Sequence, residues 1–363
     1  MVAKHEKVLF ISPSPYLQWR GSPLRVSFTV RTLVELGYPV DLLTLPIGND
    51  AAIPGLKIIR ISNPFRIKNI GIGPSFHKFL FDILLLIKGL VLIRREQYTV
   101  IHGVEEAGFL ALILGYFAGC KVVYEKHSDP FSYRKNIVLN VFLSLYAFVE
   151  RITIIHADTV ICTGPGLTRQ VNQIGRSRNV YEISDTPSSR KEAGSSNVEY
   201  IRQKYLTEPG EVLITFAGSF SHYQGIELLM LTIPEIASRC VEARFLVIGG
   251  HDADHRKWEN VMQQLVIDKI VSFAGMLPPD ELPDYFAASD ILLSTRSQGL
   301  NTPMKLLDYL KAGRAIVATD LEANRLILNE TIAVFAKPEP KAFADATINL
   351  IRDPMRRTAL GIF

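Results

Sequence analysis

The residue in this sequence that most clearly suggests chemistry is a lysine near the start of a predicted helix. Thr302 fits the N-cap, Pro303 the first helical position and Gly313 the end of this helix. Because the helix follows a short apolar strand and a loop, its free amides and its dipole favour an anion over the loop. The dipole disfavours Lys305 in the first turn by roughly 0.3–1 kcal/mol, which a phosphate would offset. The alternative is an ion pair between Lys305 and Asp308 on a solvated face.

A histidine and two carboxylates follow predicted strands in the first half of the chain. His127 comes directly after one strand, and its imidazole could exchange a proton near neutral pH. A structural, hydrogen-bonded role is the alternative. Glu105 and Glu106 follow another strand and could be catalytic carboxylates, although an acidic helix start is favourable on dipole grounds alone.

Other polar motifs point to chemistry less strongly. His251 and His255, four residues apart, could bind a metal from one helix face, but they follow a strand end, so we expect a polar loop and no metal. The glycines of residues 218–225 could admit a phosphate or only shape a turn. The sequence lacks GxxxxGK[ST], a clean GxGxxG after a strand and GxSxG, which removes the usual support for an ATPase, an NAD enzyme or a serine hydrolase.

Strands and helices alternate along the chain in two halves of similar size. This alternation predicts an α/β protein in which each domain is a Rossmann-like, doubly wound parallel sheet. We predict a first domain over 1–185, a polar linker over 186–200 and a second domain over 201–363. Ligands bind at the carboxyl ends of such strands, so the cleft between the domains is the expected active site.

The composition describes a globular protein with a large core. Apolar residues make up 48% of the chain and charged residues 21%, which excludes disorder. The net charge of +4 suits a phosphorylated ligand or an anionic membrane and is too weak to indicate nucleic acid. Three scattered cysteines and the lack of a signal-peptide pattern indicate a cytoplasmic protein.

One apolar helix is predicted over residues 76–95. Its most apolar part is too short to span a bilayer and carries Asp82 and Lys88. With Lys78, Arg94 and Arg95 beside apolar residues, it suits peripheral contact with an anionic membrane, on the inner face of the cytoplasmic membrane. The alternative is a core helix whose basic residues only edge the sheet.

Three segments together resemble a known family. They are residues 301–320, which begin Asn-Thr-Pro-Met-Lys, residues 218–225, which contain Tyr-Gln-Gly, and residues 101–107. The chain is similar to the family-4 retaining glycosyltransferases of the GT-B fold, and in particular to a bacterial branch with this YQG loop and NTPxK helix start. The resemblance implies a nucleotide-diphosphate-sugar donor held mainly by the second domain. It also implies a saccharide or lipid-linked saccharide acceptor held mainly by the first, with no cofactor and no required metal.

The family motifs carry over residue by residue. Asp308 takes the place of the second acid of the family's paired-acid motif, which contacts the donor ribose. Gly21 matches the glycine of a first-domain loop against the donor phosphates, and His127 matches a histidine on the acceptor side. We take His127 and Glu105 as the catalytic candidates. The predicted donor-binding residues are Gly21, Gly218, Ser219, Gln224, Gly250, Gly299, Leu300, Asn301, Thr302, Pro303, Lys305 and Asp308.

Three positions depart from the family pattern. Leu300 stands where the first acid usually lies, and Ser219 and Gln224 stand where many relatives place an arginine and a lysine on the diphosphate. Lys305 and the helix amides would then supply more of the positive charge, with help from Arg296 or Arg25.

The expected activity is sugar transfer to an acceptor hydroxyl with retention of configuration, in bacterial polysaccharide or glycolipid synthesis. The alternatives are a non-catalytic sugar-nucleotide-binding subunit, which the three departures favour, and a GT-B sugar-nucleotide epimerase.

Overall fold

The chain forms two compact α/β units, Met1–Asp185 and Thr186–Phe363. The structure is a computed structural model that describes residues 6–16, 21–49, 52–64, 66–67, 70, 76–130, 137–175, 179–299 and 301–361. Within these ranges, no helix combines the length and apolar character needed to cross a membrane.

The first unit is a parallel sheet with helices on both faces. Its strands are β1 (Val8–Ser12), β2 (Val40–Thr44), β3 (Leu56–Arg60), β4 (Val100–Val104), β5 (Lys121–Lys126), β6 (Thr159–Cys162) and β7 (Val180–Glu182). Its helices are α1 (Gly21–Glu35), α2 (Phe76–Arg95), α3 (Ala107–Ala118), α4 (Ile137–His156) and α5 (Pro165–Ile174). The strands lie in the order β3-β2-β1-β4-β5-β6-β7, and all pairs are parallel.

The core of the first unit follows from its apolar strands. The five residues of β1 are all buried, as expected for a central strand covered on both sides. One core cluster joins the sheet to α1, and a larger one joins its other face to α2, α3 and α5. The direction of strand order reverses between β1 and β4, so ligand binding is expected at their carboxyl ends.

The second unit repeats this architecture. Its strands are β8 (Val212–Ala217), β9 (Ala243–Ile248), β10 (Val271–Gly275), β11 (Ile291–Ser294), β12 (Ala315–Thr319) and β13 (Ala333–Ala336). Its helices are α6 (Ser195–Tyr205), α7 (Ile226–Ala237), α8 (Asp252–Gln264), α9 (Leu282–Ala288), α10 (Met304–Ala312), α11 (Glu322–Arg325), α12 (Pro340–Arg352) and α13 (Pro354–Gly361). The strands lie in the order β10-β9-β8-β11-β12-β13, again all parallel, and the order reverses between β8 and β11.

Helices cover both faces of the second sheet. One core cluster contains residues of α7, α8, α12 and α13, and another contains residues of α6, α9 and α10. The polar stretch 186–200, predicted as a linker, lies inside this unit, and its last six residues form the start of α6. That helix is mostly exposed, with Ile201 its one residue in the core cluster, so its sequence carries little apolar periodicity.

Two helix starts differ from the sequence prediction. Pro303, expected as the first helical residue after a Thr302 cap, is itself the N-cap of α10, with an extended ψ of 110° and no side-chain cap. Gly21, expected in a loop, is the first residue of α1. Both differences shift a boundary by only a few residues, which sequence patterns rarely resolve.

Candidate functional site

In the second unit, the half-buried side chain of Lys305 places its buried Nζ at the strand-order reversal. Its Nζ lies 4.3 Å from the ring centroid of Phe216 at the end of β8. No hydrogen-bond acceptor for this ammonium occurs among the described residues. Burial, with a smaller effect of nearby Arg296, lowers the pKa of Lys305 to about 7. The predicted alternative, an ion pair with Asp308 on a solvated face, is therefore wrong.

A second unpartnered polar group approaches the same place. Oε1 of Gln224 is buried and has no hydrogen-bond partner in the described structure. A Cβ placed on Gly218 would lie 3.5 Å from Nζ of Lys305 and 3.6 Å from Oε1 of Gln224. Both groups thus converge on this glycine, beside the N-terminus of α10, whose first amides lack intrahelical acceptors. The ammonium and the helix amides favour an anion with several acceptor oxygens, whereas Oε1 of Gln224 is itself an acceptor and needs a donor such as a hydroxyl group.

Arg296, next to this place, organises the loop that leads to α10. It is 1% exposed, its Nε donates to the carbonyl oxygen of Gln298 at 2.6 Å, and a terminal nitrogen donates to Oδ1 of Asn301 at 2.6 Å. The guanidinium therefore fixes the predicted donor residue Asn301. Leu300, which stands where the family's first acid is expected, lies outside the described residues.

The other acid of the predicted motif, Asp308, is half-buried on α10. Its Oδ1 accepts hydrogen bonds from the amide of Ser188 at 2.6 Å and from the Ser188 hydroxyl at 3.0 Å. Burial raises the pKa of Asp308 to about 6, although these hydrogen bonds and Lys311 lower it. Ser188 falls in the stretch predicted as linker, so its contact with Asp308 was not foreseen.

Tyr309 holds α10 against the sheet. Its hydroxyl accepts a hydrogen bond from the amide of Ala217 at 2.9 Å and donates to the carbonyl oxygen of Leu293 at 3.2 Å. The ring packs edge-on against Phe286 at a centroid distance of 5.1 Å. These contacts join α10 to the ends of β8 and β11, and thereby set the position of Lys305. A tyrosine four residues after a helix-start lysine is the sequence signal that could have indicated this anchor.

The remaining predicted donor residues lie on loops at the carboxyl edge of the second sheet. Ser219 shares a 2.8 Å hydroxyl contact with Ser221, and Thr302 is buried. Gly250, with φ +77°, follows β9 and lies where a Cβ would meet the ring of Phe220 at 2.9 Å. Gly299 has φ +109°. The fold thus brings these residues to one edge of the second sheet.

The two histidines considered as metal ligands have other roles. His251 is the N-cap of α8 and forms a capping box with Asp254, so the helix begins where a polar loop was expected. His255 is buried, and its Nε2 donates to the carbonyl oxygen of Gly249 at 2.6 Å. In the described part of the chain, no group of three or more histidine, cysteine or acidic residues is arranged to hold a metal.

In the first unit, His127 lies at the carboxyl end of β5 and is buried. Its Nδ1 lies 2.8 Å from the hydroxyl of Ser22, and its Nε2 lies 3.1 Å from Oε1 of Glu125. Burial lowers the pKa of this imidazole, but Glu125 and more distant carboxylates outweigh burial and raise the pKa above its ordinary value. The protonated form is therefore favoured.

Glu125, on β5, is the central anion of this cluster. Its Oε1 accepts from Nε of Arg25 at 2.9 Å, and its Oε2 lies 2.8 Å from Nε2 of His102. Burial would raise the pKa of Glu125, but the hydrogen bond from His102 and the charge of the neighbouring His127 lower it well below the usual range. Glu125 was not identified from the sequence. Charged residues are rarely buried, so a Glu-Lys pair at the end of a buried strand is a signal that could have indicated a functional role.

Arg25 forms its hydrogen bonds with residues of the first unit. Beyond Glu125, its guanidinium donates to the carbonyl oxygens of Ile183 and Ser184 and to Oδ1 of Asp185 at 2.7, 3.0 and 3.1 Å. It joins α1 to the segment after β7. Gly21, four residues earlier on α1, is exposed.

Glu105, the second catalytic candidate, anchors the segment that follows β5. Its Oε1 accepts from the amide of His127 at 2.7 Å, its Oε2 accepts from Ser128 at 3.2 Å, and its backbone has φ +51°. Burial raises the pKa of this carboxyl group. Glu106, the alternative acidic helix start, instead pairs with Lys78 at 2.8 Å. Glu105 therefore holds His127 in place through the backbone.

Two doubly wound α/β units in one chain are characteristic of the GT-B fold. Solved structures have the same architecture. A sucrose-phosphate synthase from Thermosynechococcus elongatus is similar over 98% of this chain and 92% of its own, with 18% identity and a TM-score of 0.79. The Anabaena protein HepE, in complex with UDP and glucose, is similar over 98% and 93%, with 14% identity and a TM-score of 0.75.

Family models match both units. Residues 21–183 match "Glycosyltransferase Family 4", and residues 211–353 match "Glycosyl transferases group 1". Both units of the chain thus match glycosyltransferase family models, and its fold is GT-B. It is also 27% identical over 124 residues to a 2-deoxystreptamine glucosyltransferase from Streptomyces kanamyceticus, and this match covers 33% of the chain and only 32% of that relative.

Proposed function

We propose that this protein transfers a sugar from a nucleotide-diphosphate sugar to an acceptor hydroxyl. The observation that carries the proposal is the buried, unpartnered ammonium of Lys305 beside the N-terminus of α10. A diphosphate would supply the oxygens that Lys305 and the helix amides lack, and would neutralise the ammonium. With Lys305 supplying the positive charge, the transfer is expected to need no metal and no cofactor.

The catalytic contribution of the second unit is electrostatic. When the bond between the sugar C1 and the diphosphate oxygen breaks, negative charge develops on that oxygen, and Lys305 and the α10 amides stabilise it. Asp308 is proposed to contact the donor ribose through the oxygen that Ser188 does not occupy. Tyr309 keeps both residues in place. The UDP bound to the Anabaena protein supports a uridine donor, with a guanosine donor as the alternative.

The first unit is proposed to serve the acceptor, a saccharide or a lipid-linked saccharide. His127, held by Ser22, Glu125 and the Glu105 carboxylate, would orient the acceptor hydroxyl. Attack from the face that the diphosphate leaves gives retention of configuration, and the departing diphosphate accepts the hydroxyl proton. We place this reaction in bacterial polysaccharide or glycolipid synthesis, at the cytoplasmic side of the membrane.

The test is a binding and turnover series with the full chain. Thermal shift against UDP, GDP and their sugars identifies the donor, because a bound ligand raises stability by RT ln(1 + [L]/Kd). Slow donor hydrolysis in chelator, with transfer once an acceptor is added and a product of unchanged anomeric configuration by NMR, would support the proposal. Binding without turnover over a broad acceptor panel would instead identify a non-catalytic subunit, and conversion of the donor sugar into its epimer would identify an epimerase.

A further inference from the structure

The outer face of the first unit carries a layer of exposed apolar side chains. We name this set the outer apolar surface, and each member is at least 43% exposed. Its members are Phe79, Ile83 and Ile87 on α2, Tyr116 and Phe117 on α3, and Val141, Leu145 and Phe148 on α4. Isolated exposed apolar residues are ordinary, but a contiguous set of large ones indicates a surface that binds something.

The three helices form one layer. Helix α3 packs against α2 on one side and against α4 on the other. All three cross over the same face of a parallel sheet, so they run side by side and their outward ridges lie at similar height. On α2 the ridge is Phe79, Ile83 and Ile87, each one helical turn from the next, while Phe81 and Leu85 face the core. The resulting surface is broad and flat.

The exposed charged residues on this layer are basic. Among the described residues of the three helices, the exposed basic or acidic side chains are Arg94, Arg95, Arg151 and His156. The carboxylates are withdrawn: Asp82 on α2 is half-buried, Glu106 before α3 pairs with Lys78 at 2.8 Å, and Glu150 on α4 pairs with the fully buried Lys126. An exposed apolar layer with basic residues and without exposed carboxylates complements an anionic lipid surface.

An apolar groove continues the outer apolar surface between α3 and α4. It has a volume of about 600 Å³ and is lined mainly by Leu112, Tyr116, Phe117 and Ile152. Its size and its apolar walls suit a lipid chain rather than a polar molecule.

A second copy of this chain fits this surface less well. In a two-fold dimer the same patch of both copies faces itself, so the exposed basic residues of α2 and α4 would be covered by a surface of the same composition. No exposed carboxylate on the described parts of the three helices could pair with them. We propose that the outer apolar surface docks on an anionic phospholipid bilayer, with the apolar side chains in the interface and the arginines against the headgroups.

The experiment is sedimentation of the full chain with vesicles of phosphatidylcholine alone or with added phosphatidylglycerol. The variant is Ile83→Glu with Leu145→Glu, and the matched control is Val241→Glu with Met355→Glu, which adds the same charge at exposed apolar positions of the second unit. Binding should require phosphatidylglycerol, weaken with salt, and fall at least about tenfold in the variant. The control should bind like the unchanged chain.

Two results would overturn the proposal. One is the absence of vesicle binding, or equal losses in variant and control. The other is a dimer by light scattering that the variant dissociates in the absence of vesicle binding, which would assign the surface to a second copy. Nucleotide-sugar binding in solution should be the same in both double variants, so failure here is distinguishable from failure of the proposed donor site.

Discussion

Replacing Lys305 with methionine tests the proposed donor site most directly. The substitution keeps an unbranched side chain over Phe216 and removes the ammonium. A hydrogen bond to a charged group contributes about 1.5–3 kcal/mol, so the Kd of a nucleotide-diphosphate sugar should rise roughly 10- to 150-fold. The Kd of the nucleoside, which carries no phosphate, should hardly change.

The pH dependence follows from the lowered pKa of Lys305, about 7 in the free protein. Below that pH the ammonium is already charged; above it, donor binding must take up a proton. Affinity for the donor should therefore fall by up to about tenfold per pH unit above 7. Nucleotide sugars are the right ligands, because their diphosphate has no group that titrates in this range. Lys305→Met should abolish the slope.

Lys305 should also make the stability of the ligand-free protein depend on pH. Stability should rise with pH, whereas donor affinity falls. The unfolded chain holds the Lys305 proton up to its ordinary pKa of 10.5, whereas the folded chain loses it near 7. Stability of the unchanged protein should thus rise with pH between these values, by up to about 1.4 kcal/mol per unit from this group. Lys305→Met should stabilise the ligand-free protein most below pH 7, as measured by urea unfolding.

Isothermal titration calorimetry in buffers of different ionisation enthalpy measures both the affinity and the proton uptake. Lys341→Met is the matched control, since Lys341 also occupies the second position of a helix, α12, but is exposed. Equal losses in both variants, or a donor affinity of Lys305→Met that still falls with pH, would refute the proposed contact with the diphosphate.

Three further changes test the supporting structure. Glu125→Gln should lower the pKa of His127, moving the pH profile of turnover to lower pH, and should cost about 3–5 kcal/mol of unfolding free energy because buried cations lose their anion. Tyr309→Phe leaves the amide of Ala217 without its acceptor and should cost about 1–3 kcal/mol in urea unfolding. Gly225→Ala, at φ +73° with a Cβ directed into a neighbouring carbonyl, should prevent a stable fold, as measured by circular dichroism.

The architecture was predictable because buried parallel strands have strong signals. The strands Val212–Ala217 and Ile291–Ser294 coincide with short apolar runs of the sequence. Two of the elements that the sequence reading missed have weak signals: β7 has three residues, two of them exposed, and α6 has one residue in the core. A third, α5, was missed although its buried face contains Gly166, Leu167 and Val171.

For the candidate site, the sequence indicated Lys305 and His127 correctly as residues at the carboxyl ends of strands. It did not indicate what surrounds them. The buried pairing of Glu125 with Arg25 joins residues 100 positions apart, and Ser188 contacts Asp308 over 120 positions. Such contacts depend on which strands become neighbours, and no local spacing encodes that order.

The segment directly after Asp185 has a consequence for dissecting the protein. Ser188 caps the carboxylate of Asp308, Ser189 donates to Asp280 at 2.6 Å, and Lys311 donates to the carbonyl oxygen of Lys191 at 2.7 Å. A fragment cut at residue 201, where composition suggests the domain begins, would lose these contacts and leave the Asp308 carboxylate without its donors. A fragment of the second unit should therefore begin at Thr186, because the residues that contact Asp308, Asp280 and Lys311 precede the first helix of this unit.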